Sequence, residues 1–189
     1  MIRFSLFFIA AFLVFSHNVN GQVKKSYFKI EGGYLSGIGN INYDDRVTFV
    51  NQSSAFRLRA SYGLFLGSKT SVGMGLGLDG YQNPDHNTLP IFFELRRFLH
   101  VSNNSLFAFL NLGTAIKLSQ EFKNGFHFSS GVGYLFKKRK INLLPSIGIN
   151  IQNIANGRAI IFDPATNQIE TIISNITINS VSLNLGIQF

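Results

Sequence analysis

The chain contains no cysteine and only nine acidic residues, against 17 lysine and arginine residues. The lack of cysteine excludes disulfide bonds, a lipoprotein anchor and a thiolate metal site. A net charge of +8 is compatible with nucleic-acid binding, yet the only tight basic run, Lys137-Lys138-Arg139-Lys140, contains no interleaved aromatic residue and lies between two predicted strands. We therefore interpret the run as a solvated turn and expect no nucleic-acid partner.

The chain also lacks an apolar run long enough for a transmembrane helix, for which about 20 residues are needed. Residues 4–15 form an apolar run of about a dozen residues, which follows the positively charged Arg3 and precedes a short polar segment that ends at Gly21. These features together are typical of a secretory signal. We therefore predict a signal peptide over residues 1–21, export of the chain, and one domain over residues 22–189.

Apolar and polar residues alternate with a period of two over most of the remaining chain, and this period is typical of β-strands. The last nine residues are an example, since apolar residues at every second position alternate with polar residues or glycine: Val181, Leu183, Leu185, Ile187 and Phe189. Similar segments predict strands over residues 26–36, 55–66, 71–78, 89–99, 106–118, 126–136, 141–151 and 181–189. Longer connections, over residues 37–54, 79–88, 120–124 and 152–179, alternate with short ones, as transmembrane barrels require. The sequence therefore predicts an all-β fold, an eight-stranded antiparallel up-and-down transmembrane β-barrel.

The residues on the polar faces decide which face of each strand points outward. Glycine rows such as Gly73, Gly75 and Gly77 would weaken strands at a water-facing surface, but they fit the interior of an eight-stranded barrel, which is just wide enough for side chains. The same predicted interior holds seven charged residues: Lys29, Glu31, Arg57, Arg59, Glu94, Arg96 and Lys117.

Buried charges must be paired, so we predict a lumen network that joins Glu31 to Arg57 or Arg59. Glu94 is expected to pair with Arg96 or a neighbouring basic group. The network would plug the lumen. Arg97 occupies an outward position in the alternation of its strand. It lies near the predicted periplasmic end, where its long side chain can reach lipid headgroups.

Residues 89–98, residues 131–136 and the terminal Phe189 resemble the small outer-membrane β-barrel proteins of the porin-like, OmpA/OmpX-type superfamily. The likeness is greatest to versions common in the Bacteroidota, and it covers essentially the whole mature chain. The resemblance implies a place in the cell outer membrane, contact with lipid and lipopolysaccharide, and insertion by the barrel assembly machinery with periplasmic chaperones. In such proteins the terminal aromatic residue, here Phe189, is the assembly signal. We further expect a monomer without a cofactor or a bound metal ion.

His127 and Ser129 lie two residues apart and therefore on one face of the predicted sixth strand. The pair resembles the His-x-Ser pair of outer-membrane lipid A deacylases, in which an imidazole base would activate a hydroxyl nucleophile. Ser130 follows where those enzymes have asparagine, no acidic residue occurs over residues 122–162, and parity directs the pair into the lumen. We therefore interpret His127 and Ser129 as polar lumen residues, with catalysis as the alternative.

Two further patterns give no site. Residues 73–77 lack the spacing and the following helix of a phosphate loop. No calcium-binding spacing is present among the candidate ligands of the loops, Asp44, Asp45, Asp79, Asp85 and His86. The leading interpretation is a non-enzymatic barrel with a plugged polar lumen and a structural or surface-interaction role carried by its extracellular loops. A lipid A-modifying enzyme and a narrow channel are the alternatives.

Overall fold

The computed structural model describes residues 26–43, 47–83, 85–100, 104–118, 124–138, 141–163 and 168–189. In these ranges the chain forms the strands β1 (Ser26–Gly37), β2 (Asn40–Tyr43), β3 (Val47–Val50), β4 (Ser54–Phe65), β5 (Thr70–Gln82), β6 (His86–Phe98), β7 (Ser105–Lys117), β8 (Asn124–Lys137), β9 (Asn142–Asp163) and β10 (Gln168–Gln188). The same ranges contain no helix that is long and apolar enough to cross a membrane. The predicted signal peptide, residues 1–21, lies outside the described residues.

Eight of these strands close into a ring, in the order β1-β10-β9-β8-β7-β6-β5-β4. Neighbours in the ring are antiparallel. At the seam between β1 and β10, Ile30 pairs with Ile187 and Gly32 pairs with Leu185. The predicted eight-stranded antiparallel up-and-down barrel is therefore confirmed. The remaining strands, β2 and β3, form a separate hairpin within the connection from β1 to β4.

The two ends of the barrel differ in their connections. One end, which we call the turn end, has the short connections over residues 66–69, 99–104 and 138–141, together with the start of β1 and the end of β10. Backbone hydrogen bonds close these turns, as when Lys138 N donates to Ile141 O at 3.1 Å. The opposite end, which we call the loop end, has the β2–β3 hairpin and the connections from β5 to β6, β7 to β8 and β9 to β10.

The predicted loop over residues 79–88 is mostly strand. β5 continues to Gln82 and β6 begins at His86, so that residues 83–85 alone connect them. Asn83 adopts a positive φ of 54°, a conformation that asparagine tolerates better than most side chains and that lets the chain reverse here. The prediction of a long polar loop is wrong because pairing between two neighbouring strands outweighs the low strand propensity of its polar residues.

The predicted loop over residues 152–179 is a two-stranded extension of the barrel wall. Here β9 and β10 pair with each other as far as Asp163 and Gln168, beyond the last pairs that join them to β8 and β1. Isoleucine and threonine are frequent in this segment, and both favour strands. The alternation of the sequence slips within residues 172–178, which predicts a bulge or a hairpin extension there, and the register does shift between Ser174 and Ile176.

Exposure alternates along the strands of the ring. On β10, Leu183 and Leu185 are 67% and 54% exposed, whereas Asn184 between them is 5% exposed. On β5, Met74 and Leu76 are each 57% exposed in the same way. The apolar rows therefore form the outer surface and the polar rows face inward, which confirms the predicted orientation.

Two apolar clusters lie in the interior, one towards each end of the barrel. The cluster at the turn end contains Phe98, Phe107, Phe109 and Leu144, with Phe65 and Leu135 packed against it. The cluster at the loop end contains Leu35, Ile41, Ala55, Tyr81, Ile154, Ile172, Ile176 and Ile178. Alternation within single strands does not predict either cluster, because each is assembled from inward positions on several strands and, at the loop end, from β2. The charged residues of the interior lie between the two clusters.

The inward glycines make room for aromatic rings as well as for charged side chains. A Cβ atom on Gly133 would lie 2.4 Å from Phe107 Cζ, and one on Gly75 would lie 2.5 Å from Phe92 Cζ. Both distances are far below van der Waals contact. These positions therefore require glycine because the rings fill the space that a side chain would need.

Candidate functional site

The charged residues that the sequence assigns to the interior lie on inward positions of β1, β4, β6 and β7. Six of them are buried: Lys29, Glu31, Arg57, Arg59, Glu94 and Arg96. Lys117 is partly buried at the last position of β7, at the loop end. Burying several charges in a narrow interior is costly unless they are paired and hydrogen-bonded. The buried charges meet this requirement in two groups, which we call the Lys29 group and the Asp79 group.

The Lys29 group lies nearer the turn end. Lys29 Nζ contacts Glu31 Oε2 at 3.0 Å and Glu94 Oε2 at 2.5 Å, so one ammonium serves two carboxylates. The second oxygen of Glu94 lies 2.9 Å from Arg96 Nη2 and accepts a hydrogen bond from Tyr27 Oη at 3.2 Å. The Arg96 guanidinium also stacks on the Tyr27 ring, with its carbon 4.4 Å from the ring centre.

The Asp79 group lies nearer the loop end. Arg57 binds the Asp79 carboxylate with two hydrogen bonds, Nε to Oδ1 at 2.9 Å and Nη2 to Oδ2 at 3.1 Å. Arg59 Nη2 lies 3.8 Å from Asp79 Oδ2 and 2.9 Å from His127 Nε2. The parallel geometry of the Arg57 pair is the strongest form of carboxylate recognition by arginine. Asp79 therefore holds Arg57 directly and lies within ion-pair distance of Arg59.

The predicted partner of Glu31 is wrong. Glu31 pairs with Lys29, its neighbour on the inward face of β1, rather than with Arg57 or Arg59. Both arginines are instead within ion-pair distance of Asp79. The other predicted pair, Glu94 with Arg96, is present at 2.9 Å.

Asp79 is the buried charge that the sequence analysis places in a loop. It lies on β5 and is fully buried. The alternation of inward and outward positions could have identified Asp79 as an interior residue, because it continues the inward row Gly73, Gly75 and Gly77 at the next alternate position. The run of polar residues after it conceals this continuity.

Uncharged amide side chains accept hydrogen bonds from the arginines, which helps to compensate for the excess of positive charge in the interior. Among the buried residues of the described ranges, four are lysine or arginine and three carry a carboxylate. Asn150 Oδ1 accepts a hydrogen bond from Arg57 Nη1 at 2.7 Å. Asn111 Oδ1 accepts from Arg59 Nη1 at 3.3 Å in the amide orientation that also lets its nitrogen donate to Leu110 O. The interior is therefore a connected polar network rather than a row of separate ion pairs.

Several hydrogen bonds cross the lumen from one wall to the other. In the ring order, β4 lies opposite β8, β6 lies opposite β10, and β5 lies opposite β9. Each of these opposite pairs is joined by a contact between buried side chains: Arg59 with His127 at 2.9 Å, Arg96 with Gln188 at 2.9 Å, and Tyr81 with Gln152 at 2.8 Å. Side chains thus span the full width of the barrel at more than one level.

His127 and Ser129 are both buried in this network, on the inward face of β8. A guanidinium only donates hydrogen bonds, so the contact with Arg59 makes His127 Nε2 an acceptor and places the ring proton on Nδ1. Nδ1 has no hydrogen-bond partner among the described residues. Neither ring nitrogen therefore offers a free lone pair to a serine hydroxyl, and the arrangement lacks the geometry of an activated nucleophile.

The candidate cation ligands of the loops do not come together. Asp79 belongs to the buried network, whereas Asp85 is exposed at the connection from β5 to β6, and Asp44 and Asp45 lie outside the described residues. Within the part of the chain that the structure describes, no group of three or more histidine, aspartate or glutamate side chains could hold a metal ion.

Phe189 lies exposed at the turn end, beside the start of β1. Its backbone N donates to Phe28 O at 2.8 Å, and its carbonyl accepts from Phe28 N at 3.3 Å. The terminal residue therefore continues the seam of the ring, while its ring stays accessible on the outer surface.

A closed eight-stranded ring with an apolar exterior and a charged, cross-linked interior defines the class of small barrels of the outer-membrane type. No family model and no curated protein matches the chain. Among solved structures, it is similar to Neisserial surface protein A, with a TM-score of 0.51 and 12% identity over 89% of this chain and 100% of that chain. It is also similar to the outer membrane protein OprG from Pseudomonas aeruginosa, with a TM-score of 0.52 and 11% identity over 91% of this chain and 99% of that chain.

The outer membrane protease OmpT from Escherichia coli gives a weaker likeness, with a TM-score of 0.40 and 7% identity over 91% of this chain and 99% of that chain. A likeness at this level is too weak to indicate an activity. The two closer similarities support the fold alone, since their identities are 11% and 12%.

Proposed function

We propose that the chain is an integral β-barrel of the bacterial outer membrane whose lumen is plugged and whose role is structural or surface-interacting, without enzymatic activity. The observation that carries the proposal is the combination of an apolar outer surface with side chains that cross the interior from wall to wall. The apolar outer surface favours lipid as the surroundings, and the side chains that cross the interior favour a barrel that passes no solute.

The outer surface supports a membrane location because its apolar residues surround the ring. Exposed large apolar side chains occur on every strand of the ring, and a continuous apolar surface of this extent is unfavourable in water. The strands β4, β5 and β6 contain 12, 13 and 13 residues, and about 9 to 11 residues of a tilted strand cross a bilayer. By the usual arrangement of such barrels, the turn end would face the periplasm and the loop end the cell exterior.

The loop end supports a surface role because ordered structure continues there beyond the ring. Asn51 fixes the β2–β3 hairpin to the barrel, with its Nδ2 donating to Ile38 O at 3.1 Å and to Asn179 O at 2.7 Å. The extension of β9 and β10 exposes Ile169 and Ile173. Structured loops with exposed apolar residues are suited to contacts with other molecules at the surface.

Nitroxide labels test the membrane location. The chain has no cysteine, so a single introduced cysteine gives a single labelling site. Labels at Leu76 and Leu185 should collide with oxygen dissolved in the bilayer, whereas labels at Ser61 and Asn184 should be shielded from it. The reverse pattern would show that the apolar face is not in contact with lipid, and the membrane proposal would fail.

Planar-bilayer recording tests the plug. The reconstituted protein should give no steady conductance, and neither should the control variant Arg97→Ala, because Arg97 lies on the outer surface. The double variant Arg59→Ala with Arg96→Ala removes two contacts that cross the lumen, and we expect it to conduct ions. Steady conductance of the unaltered protein would favour the narrow channel instead.

A further inference from the structure

We propose that the turn end binds the phosphate headgroups of anionic phospholipids through a ring of basic side chains, which we call the basic collar, formed by Lys69, Arg97, Lys137 and Lys138. The inference rests on the proposed function, because the collar meets lipid only if the barrel spans a bilayer. It assigns a lipid partner and a binding surface to a part of the molecule that carries none of the loops.

Charge is distributed very unevenly between the two ends. No aspartate or glutamate occurs over residues 46–78, 95–120, 122–162 or 171–189, which include all of the turn-end connections. The nine acidic residues are Glu31, Asp79 and Glu94 of the interior, and six others that lie in or beside the loop-end connections: Asp44, Asp45, Asp85, Glu121, Asp163 and Glu170. The turn-end connections therefore carry basic side chains but no aspartate or glutamate.

Arg97 lies at the outer surface rather than in a turn. It is exposed on β6, between the inward residues Arg96 and Phe98, and its Nη1 donates a hydrogen bond to Thr70 Oγ1 at 2.5 Å. A charged side chain on the lipid-facing wall is costly in hydrocarbon, but at the edge of the wall its long stem lets the guanidinium reach the headgroups. A phosphate oxygen is the natural acceptor for its remaining donors.

The collar is spread over three of the four places where neighbouring strands meet at the turn end, instead of forming a single patch. Lys69 lies in the connection from β4 to β5, Arg97 next to the connection from β6 to β7, and Lys137 and Lys138 at the connection from β8 to β9. In the ring order these connections are spaced two strands apart. Lys24 and Lys25 immediately precede β1 in the sequence and lie outside the described residues.

Exposed apolar side chains lie beside the collar at the same end: Phe28, Leu66, Leu99, Leu106, Phe136 and Phe189. An apolar band edged by basic groups matches a leaflet, in which acyl chains end at a layer of phosphates. A protein partner would cover one side of the barrel, whereas annular lipids contact every side. The distribution of the charges therefore favours lipid over a compact acidic protein.

Lipid selectivity measured by electron spin resonance tests the collar. The full chain is reconstituted in phosphatidylcholine vesicles with trace phosphatidylglycerol or phosphatidylcholine that carries a nitroxide on the acyl chain. The fraction of motionally restricted lipid gives the relative association of the two headgroups. One basic residue near a membrane surface is worth about 1 kcal/mol, so we expect phosphatidylglycerol to be preferred by roughly fivefold at low salt.

Two variants with the same four positions separate charge from structure. In the variant Lys69→Gln, Arg97→Gln, Lys137→Gln and Lys138→Gln, the preference should fall well below that of the unaltered protein, whereas exchange of lysine for arginine and arginine for lysine should retain it. In about 1 M salt, where the screening length is about 3 Å, the unaltered protein should also lose most of its preference. This last measurement needs no substitution and therefore holds even if a variant folds poorly.

The outcomes distinguish the collar from the proposed function. Restricted lipid with equal association of the two headgroups would overturn the collar while leaving the membrane barrel intact. Co-sedimentation of the detergent-solubilised protein with purified peptidoglycan, without lipid preference, would overturn it in favour of the cell wall as the anionic partner. The absence of any restricted lipid would overturn the membrane location itself, and the collar with it.

Discussion

Asp79 is within ion-pair distance of two arginines, one of which it binds with both oxygens, and all three side chains are buried. The residues of this group could be predicted from parity, but their partners could not. Alternation along one strand tells which face a side chain occupies, whereas the stagger between strands sets its height and hence its neighbours. The sequence therefore identifies Arg57 and Arg59 as interior residues but not their partners: Glu31 lies directly opposite Arg59 in the register of β1 and β4, yet its carboxylate contacts Lys29 instead.

The variant Asp79→Asn should be strongly destabilised, because it leaves Arg57 and Arg59 buried without a carboxylate. We expect the free energy of unfolding in detergent micelles, measured by urea titration, to fall by about 3–5 kcal/mol. Asp85→Asn is the matched control, since Asp85 is exposed at the loop end and should change stability by no more than about 0.5 kcal/mol. Equal effects of the two substitutions would contradict the Asp79 group.

Ser129→Ala should leave lipid A unchanged in the cells that express the protein. The hydroxyl is buried, and both nitrogens of the neighbouring His127 lack a free lone pair for it. Mass spectrometry of extracted lipid A from cells with the unaltered chain, the variant or no protein checks this expectation. An acyl chain that is removed only when Ser129 is present would establish the alternative of a lipid A-modifying enzyme.

At the scale of the strands, all eight members of the ring could be predicted because apolar and polar residues alternate along each of them, as expected for a strand with one apolar face. The positions at which the strands stop at the loop end could not be predicted. The β2–β3 hairpin is short and contains Asn40 and Asn42, and the slip in the period over residues 172–178 predicts a bulge or a hairpin extension without showing how far β9 and β10 pair. In both places, pairing with another strand decides the structure, and one strand's sequence does not reveal its partner.

Gly133→Ala should destabilise β8, although alanine is a small residue. The added Cβ would lie 2.4 Å from Phe107 Cζ and 2.7 Å from Pro145 O, and the carbonyl belongs to a neighbouring backbone that cannot easily move. We expect a loss of about 1–3 kcal/mol in the free energy of unfolding. Gly32→Ala is the control, because no atom lies within 4 Å of a Cβ at that position, and a similar loss there would refute the steric explanation.

The ring of eight strands is closed and leaves no free edge, so the protein should resist dodecyl sulfate at room temperature. The unheated protein is therefore expected to migrate faster on a gel than the boiled protein. Ile187→Pro removes a backbone donor at the seam with Ile30 and should increase the slow, unfolded band before heating. Ile169→Pro, in the extension beyond the ring, should keep the fast band; loss of it in both variants would contradict a seam-specific effect.

The seam between β1 and β10 has a consequence for the order of events during assembly. It joins segments from opposite ends of the chain, and β1 contributes Lys29 while β10 contributes Gln188 to the interior contacts. Until these two strands meet, the buried charges remain in contact with solvent through the open side. Dehydration of the interior is thus coupled to the most non-local pairing of the ring, which we expect to form late, and a chain whose β1 and β10 have not joined keeps its interior hydrated.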